Sequence, residues 1–381
     1  MMQALVQDRP TPTWLALARR LDLVLVAVTL ALAAYGSLIV YSATKVPNQQ
    51  AGIGPTYYFV HQAAYDVVGL VAMLLTMSVG YRRLVRLGLI VYGFLLVALV
   101  AVMAVGSSTL GSQRWFSIGP FQLQPSAFAS VGLVLALTAA IDRWQERITA
   151  RRLVALVVMA VVPILLVFKQ PDLGSAILML VTSAAVMVVG GVKGRHLVIL
   201  VLLGLATVVA ALQLHLLHSY QLSRLTSFLH QNSNATFRTS TYNIQQSKYA
   251  ISSGGLAGKG LFRGSEITGG YVPAFSTDFI FSAVGEQLGF LGSSVLLVLY
   301  SILSWRIWRA AARSGDRLGR LCAAGVLALL GFSVFENVGM TMGIMPVAGI
   351  PLPLVSYGGS AVVNTFMAVG LVASIGLEPS H

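Results

Sequence analysis

Apolar and polar positions fall in long blocks along this chain. Apolar runs stand at about 21–43, 57–79, 86–106, 124–141, 152–168, 172–191, 196–213, 279–304, 318–340 and 358–377. Helices of about 18 to 25 apolar residues cross a hydrocarbon core of roughly 30 Å. The pattern therefore predicts an all-α integral membrane protein, a bundle of about ten transmembrane helices. One long polar stretch, about 214–278, separates the seventh run from the eighth and is rich in Ser, Thr, Asn and Gln. Polar connections of this length are usually functional or disordered.

Composition agrees with the pattern. Of 381 residues, 56% are hydrophobic and 10% charged, against about 25% charged in soluble domains. The first run follows Arg19 and Arg20 and exceeds the 7–15-residue core of a cleaved signal peptide. It reads as a retained helix after a tail at 1–20, with 21–378 as one polytopic domain. A lone cysteine, Cys322, excludes an internal disulfide and a cysteine-rich metal cluster.

A formal net charge of +13 first suggests nucleic acid, but its distribution rejects that reading. Of the 25 Lys and Arg, 17 lie in the N-terminal tail and in alternate connections. Such an excess marks cytoplasmic loops. Both termini are then expected in the cytoplasm. The 214–278 loop is expected on the extracytoplasmic side, out of reach of cytosolic nucleotides.

Several motifs border that outer face. Ser276-Thr277-Asp278 precedes the eighth run. Its residue types suit a helix N-cap; equally, Asp278 beside Phe279 and Phe281 is a desolvated carboxylate suited to general-base work. Ser252 to Gly260 is glycine-rich but fails the phosphate-loop pattern at Ser253 and Gly260. It reads either as a surface loop or, with Lys248 and Lys259, as a diphosphate cradle. Gly349 to Ser360 carries Pro351 and Pro353 ahead of the last run. It is either a tight turn or irregular backbone around a wet cavity. Gln124-Pro125-Ser126 and Gln170-Pro171-Asp172 open the fourth and sixth runs, where Pro and Asp are ordinary. Asp66, Glu286 and Glu336 fall inside spans. Buried acids there face the bundle interior, and Glu286 sits two helical turns beyond Asp278, placed to support it, bind a cation or serve as a structural partner.

Taken in order, Arg114-Trp115, Gln124-Pro125-Ser126, Gln170 to Ser175, Gly254 to Gly260, Thr277-Asp278-Phe279 and Pro351 to Ser360 resemble the SEDS family (shape, elongation, division and sporulation) over essentially the whole chain. Pro346 to Pro353 looks like the RodA elongation branch. The resemblance implies a peptidoglycan glycosyltransferase acting on lipid II, with undecaprenyl pyrophosphate leaving under inversion and Asp278 as the essential carboxylate. It implies a class B penicillin-binding protein as partner, alongside other elongation-complex membrane proteins. Arg224, Lys248, Lys259, Arg114, Trp115, Gln124, Ser126 and Ser356 are candidate substrate contacts, with Glu286 and Asp172 in support. No metal site is assigned. A divalent cation, Mg2+ or Mn2+, stays open, although Glu266 and Asp278 are too few acids for a cage. Ala127 and Ser130 stand where the family usually has Glu and Lys, Ser276 where it has His, and Gln287 where it has a second Glu. A lipid II flippase and a non-catalytic scaffold of the cell-wall complex are the competing readings.

Overall fold

The structure is a computed structural model that describes residues 21–109, 112–119, 121–144, 148–213 and 239–377. The helices are α1 (Leu23–Gln50), α2 (Tyr57–Val79), α3 (Tyr81–Arg86), α4 (Gly88–Val105), α5 (Pro125–Arg143), α6 (Ala150–Lys169), α7 (Leu173–Val189), α8 (Gly194–Gln213), α9 (Thr239–Ser253), α10 (Ser265–Thr268), α11 (Ile280–Arg313), α12 (Arg317–Thr341) and α13 (Gly359–Leu377). Among the described residues, eight are long and apolar enough to cross a membrane: α1, α2, α4, α5, α6, α11, α12 and α13. The shorter apolar helix α7 and helix α8 fall on the sixth and seventh expected runs. The all-α membrane bundle expected from the pattern is what the chain forms.

Large apolar side chains face outward, among them Ile90, Phe94, Val97 and Val105. In water such a surface would aggregate; in lipid it is the ordinary exterior. Helix α5 is different, because nearly every residue from Ala129 to Ile141 is buried. It is apolar all round because it is enclosed all round, against α4, α6, α7, α12 and α13. Helix α13 packs in parallel along α2, with Phe366 against Gly69 and Gly370 against Met73.

Carboxylates set several helix starts. Asp22, Asp172 and Asp316 accept from the amides of Leu25, Ser175 and Gly319 at the first turns of α1, α7 and α12, the usual cap of orphan donors. Two of these caps also carry ion pairs. Arg306 meets Asp22 at 2.5 Å, and Arg82 meets Asp316 at 3.2 Å. Arg317 donates to the Gly190 carbonyl at 2.7 Å. The basic connections 80–87, 190–194 and 306–317 thus gather at one end of the bundle, and alternate connections gather at the other.

Several expected boundaries are corrected. Helix α1 runs to Gln50 rather than residue 43, and α11 to Arg313 rather than 304. Hydropathy marks where lipid contact ends, not where helical hydrogen bonding ends. On α1 the polar extension is anchored by Lys45 over the rings of Tyr41 and Phe262. The third run is α4, preceded by the short helix α3 that the apolar pattern did not mark. The connection before α5 forms a small antiparallel sheet of β1 (Ser107–Thr109), β2 (Ser112–Ile118) and β3 (Phe121–Leu123), in that order. It was not anticipated, because β1 and β3 are too short to show an alternation and β2 does not alternate apolar with polar residues.

The described part of the long loop is largely ordered by α11. That helix breaks at Gly289 (φ 66°, ψ −159°). The break leaves the carbonyls of Glu286 and Gln287 free, and they accept from the amides of Lys259 and Gly260 at 3.0 Å each. The amides of Phe290 and Leu291 donate to the carbonyls of Gly255 and Leu256 at 2.9 and 3.0 Å. Four backbone bonds to the 255–260 turn thus replace those lost in the helix, as burial demands. The glycines of this turn serve the break, and its amides at 259 and 260 are committed to it. A Cβ on Gly289 would stand 2.3 Å from the Gly258 nitrogen, in a backbone region that L residues avoid. Gly289→Ala is expected to cost about 2 kcal/mol, read as a lower melting temperature in detergent.

Candidate active site

Asp278 lies in the turn before α11, half-buried, between the buried Val272 and Phe279. The helix cap position falls on Phe279, which makes no side-chain cap bond, one residue past the Ser276-Thr277-Asp278 run. Three successive carbonyls of this turn are held from outside it. The Tyr357 amide donates to Ser276 at 2.8 Å, the Ser356 hydroxyl to Thr277 at 2.5 Å, and the Asn337 side-chain amide to Asp278 at 2.8 Å. The same Asn337 nitrogen donates to the Ile350 carbonyl at 2.8 Å. Asn337 is fully buried on α12 and Ser356 is buried in the proline-bearing loop. Both segments meeting here hold a non-glycine residue in the left-handed region, Ala274 (φ 52°) and Leu354 (φ 66°). Such strain persists only where the surroundings enforce it. Gly36 of α1 lets the loop pass, since a Cβ there would lie 2.5 Å from the Val355 Cα.

A second cluster forms beside it. Gln124 donates to Ser126 and to Asp172 at 3.0 Å each, and Ser126 donates to Asp172 at 2.9 Å. Arg114, on β2, donates to the Gln170 carbonyl at 2.6 Å and to the Pro171 carbonyl. The Ser360 hydroxyl at the start of α13 accepts from the Gln124 amide at 2.9 Å. Gln124 and Ser126 are therefore one hydrogen-bonded group with Asp172, and Arg114 holds the backbone just ahead of that carboxylate. Gly174 packs against the Ala348 backbone and the Ile350 side chain, so the 348–357 loop joins this group to Asp278. Trp115 is half-buried next to Arg114, its carbonyl accepting from Ser107 at 3.0 Å.

The third group is Glu286 and Lys259. Glu286 is fully buried and accepts from Lys259 Nζ at 2.9 Å, from the amides of Glu266 and Ile267 at 2.8 and 3.0 Å, and from Ser265 at 3.3 Å. The two amides begin α10, so this carboxylate fastens the loop to α11. Its four donors describe a structural partner. Lys259→Met leaves a buried carboxylate without its cation and is expected to destabilise by about 2 kcal/mol. The double variant Lys259→Met/Glu286→Gln should melt higher than Lys259→Met alone; thermal unfolding of both checks this. Lys248 is half-buried on α9, whose Ser247 bonds Ser282 at 2.6 Å and the Thr341 carbonyl at 2.7 Å. Arg224 lies outside the described residues. Among the described residues, no group of three or more His, Cys, Asp or Glu is placed to hold a metal ion.

The profile of the FtsW/RodA/SpoVE family, described as cell cycle proteins, matches residues 22–381. This chain belongs to that family. It is 35% identical to stage V sporulation protein E of Bacillus subtilis, covering 93% of this chain and 96% of that one. It is 36% identical to the peptidoglycan glycosyltransferase MrdB of Escherichia coli K12, covering 93% of each. Among solved structures it resembles a chain from a peptidoglycan synthase complex, with TM-score 0.77, 31% identity, and 93% and 97% coverage. It also resembles the rod shape determining protein RodA of Thermus thermophilus, with TM-score 0.70, 30% identity, and 96% and 98% coverage.

The departures of this FtsW/RodA/SpoVE member fit their surroundings. Ser130 is buried within α5 and Ala127 is half-buried, so this helix carries neither an acid nor a base at those positions. Removing both members of a buried pair costs far less than removing one. Gln287 is fully buried and accepts from Ser42 at 2.5 Å, and Ser42 accepts in turn from the Phe262 amide at 2.7 Å. Sequence reasoning missed Asn337, although a second polar residue beside Glu336 in an apolar run was a signal. It also missed Tyr300, buried on α11, whose hydroxyl donates to the Pro353 carbonyl at 2.5 Å. Nothing in the local sequence marks a tyrosine for that contact.

Proposed function

We propose that this chain is a peptidoglycan glycosyltransferase that polymerises lipid II during cell elongation, with Asp278 as general base. The observation that carries the reading is the fixing of Asp278 by three neighbouring carbonyl contacts on a strained turn. A general base works only when held within hydrogen-bond reach of the proton it removes. The relatives named peptidoglycan glycosyltransferase support the activity, and Pro346 to Pro353 supports the elongation branch. With the arginine-rich end in the cytoplasm, Asp278 opens to the extracytoplasmic side of the inner membrane.

In this reading the 4-hydroxyl of a GlcNAc on one lipid II attacks the anomeric carbon of a MurNAc at the lipid end of the growing strand. Asp278 takes the hydroxyl proton as the new C–O bond forms. The bond to the diphosphate breaks with inversion, and undecaprenyl pyrophosphate leaves with the electron pair. The leaving group is already activated, so one base and nearby cations suffice. Among the described candidate contacts, Lys248 and Arg114 are the cations assigned that role, while Lys259 is engaged by Glu286. A class B penicillin-binding protein is the partner that cross-links the product; the similar chain from a synthase complex, described as coordinating polymerization and crosslinking, supports it.

The test uses the purified chain, a class B penicillin-binding protein and labelled lipid II. Glycan ladders are expected. Movement of lipid II across vesicles without ladders would instead establish the flippase.

A further inference from the structure

At the other end of α11 from Asp278, a cavity of about 380 Å³ opens among the ends of α1, α3, α11, α12 and α13. That volume suits a small ligand or a headgroup. Its charged lining is Arg82, Arg306, Arg309 and Arg313 with Asp22 and Asp316. Arg306, Arg309 and Arg313 recur at helical spacing, so they share one face of α11. Arg306 is neutralised by Asp22 and Arg82 by Asp316. Among the described residues, no carboxylate pairs with Arg309 or Arg313, and the pocket keeps two surplus positive charges. Arg309 is held over the Trp305 ring at 5.5 Å.

The depth of the pocket follows from its aromatic neighbours. Trp305 and Trp308 are 51% and 57% exposed, at the level where amphipathic rings mark the membrane–water boundary. Beyond its break at Gly289, α11 runs on to Arg313, a stretch of about 36 Å that still exceeds a hydrocarbon core of roughly 30 Å. With Trp305 and Trp308 at that boundary, its last turns stand at headgroup level, where Arg306, Arg309 and Arg313 line the cavity. Guanidinium groups in such a setting match phosphate oxygens, often in bidentate fashion.

We infer that this cavity is a binding site for a phosphate group, carried by an anionic lipid headgroup or by a soluble phosphate compound. The site is separate from the Asp278 chemistry and does not depend on it. Occupancy would tie the ends of five helices to one anion at the membrane surface.

The experiment places the full chain in phosphatidylcholine nanodiscs and titrates phosphatidylglycerol, with retained lipid read by native mass spectrometry. A second arm titrates inorganic phosphate and pyrophosphate without anionic lipid, read by calorimetry. The comparison variant is Arg309→Gln/Arg313→Gln, which keeps both arginine–aspartate pairs; its melting temperature verifies the fold. Should that double variant not fold, Arg313→Gln alone replaces it, since Arg313 is exposed. The double variant should weaken binding roughly 30-fold, the loss expected for two cationic contacts at a membrane surface. Weakened phosphatidylglycerol retention supports the site with a lipid source. Phosphate or pyrophosphate binding lost in the variant supports it with a soluble source. Equal binding in both proteins, or no binding of any probe, overturns the site.

Discussion

Asp278→Asn is expected to abolish glycan ladders in the lipid II assay, with a fall in rate of about 10²- to 10⁴-fold, the usual contribution of a positioned base. The substitution keeps the side-chain size and leaves the backbone carbonyl that receives Asn337, so the turn should keep its shape. Melting temperature and lipid II binding should stay near those of the parent chain while the chemical step is lost. Ladders of parental length from the folded variant would remove Asp278 from the mechanism and leave the scaffold or flippase standing.

The second large effect falls on Asn337. Asn337→Leu keeps the branching and number of side-chain heavy atoms but deletes the one donor shared by the carbonyls of Asp278 and Ile350. Each buried acceptor left bare costs on the order of 1–3 kcal/mol, so stability should fall by about 2 kcal/mol or more. The turn also loses the contact that holds the Asp278 carbonyl. Misplacement on the scale of 1 Å costs roughly 100-fold in rate, and we expect a loss of that order in kcat with a smaller change in KM. Gly289→Ala is the control, with a similar cost in stability and no contact to the Asp278 turn. If both variants lose activity in step with their melting temperatures, Asn337 is structural only. If Asn337→Leu loses far more activity at a temperature where both are folded, it positions Asp278.

The residue pattern carried the architecture because the bilayer makes few demands and enforces them strictly. Apolar side chains must cover a fixed thickness, and backbone groups must be paired inside the segment. Ten apolar runs, the polar stretch between the seventh and eighth, and the uneven placement of arginine are one-dimensional consequences of those demands. Residue types at short spacing also made Asp278, Ser126, Asp172 and Glu286 visible as candidates.

Their partners were not visible, because hydrogen bonds across a helical bundle join residues with no sequence relation. Asn337 meets Asp278 from 59 positions away and Gln124 meets Asp172 from 48. The fold alone turned the Gly254 to Gly260 run from a candidate phosphate cradle into the clamp on the break at Gly289. It also gave Glu286 to α10 and Lys259. A chain writes down which groups are apolar, charged or free of a Cβ. Which buried donor reaches which buried acceptor is fixed only when the helices pack, since every such group must then find a partner among whatever the other helices bring.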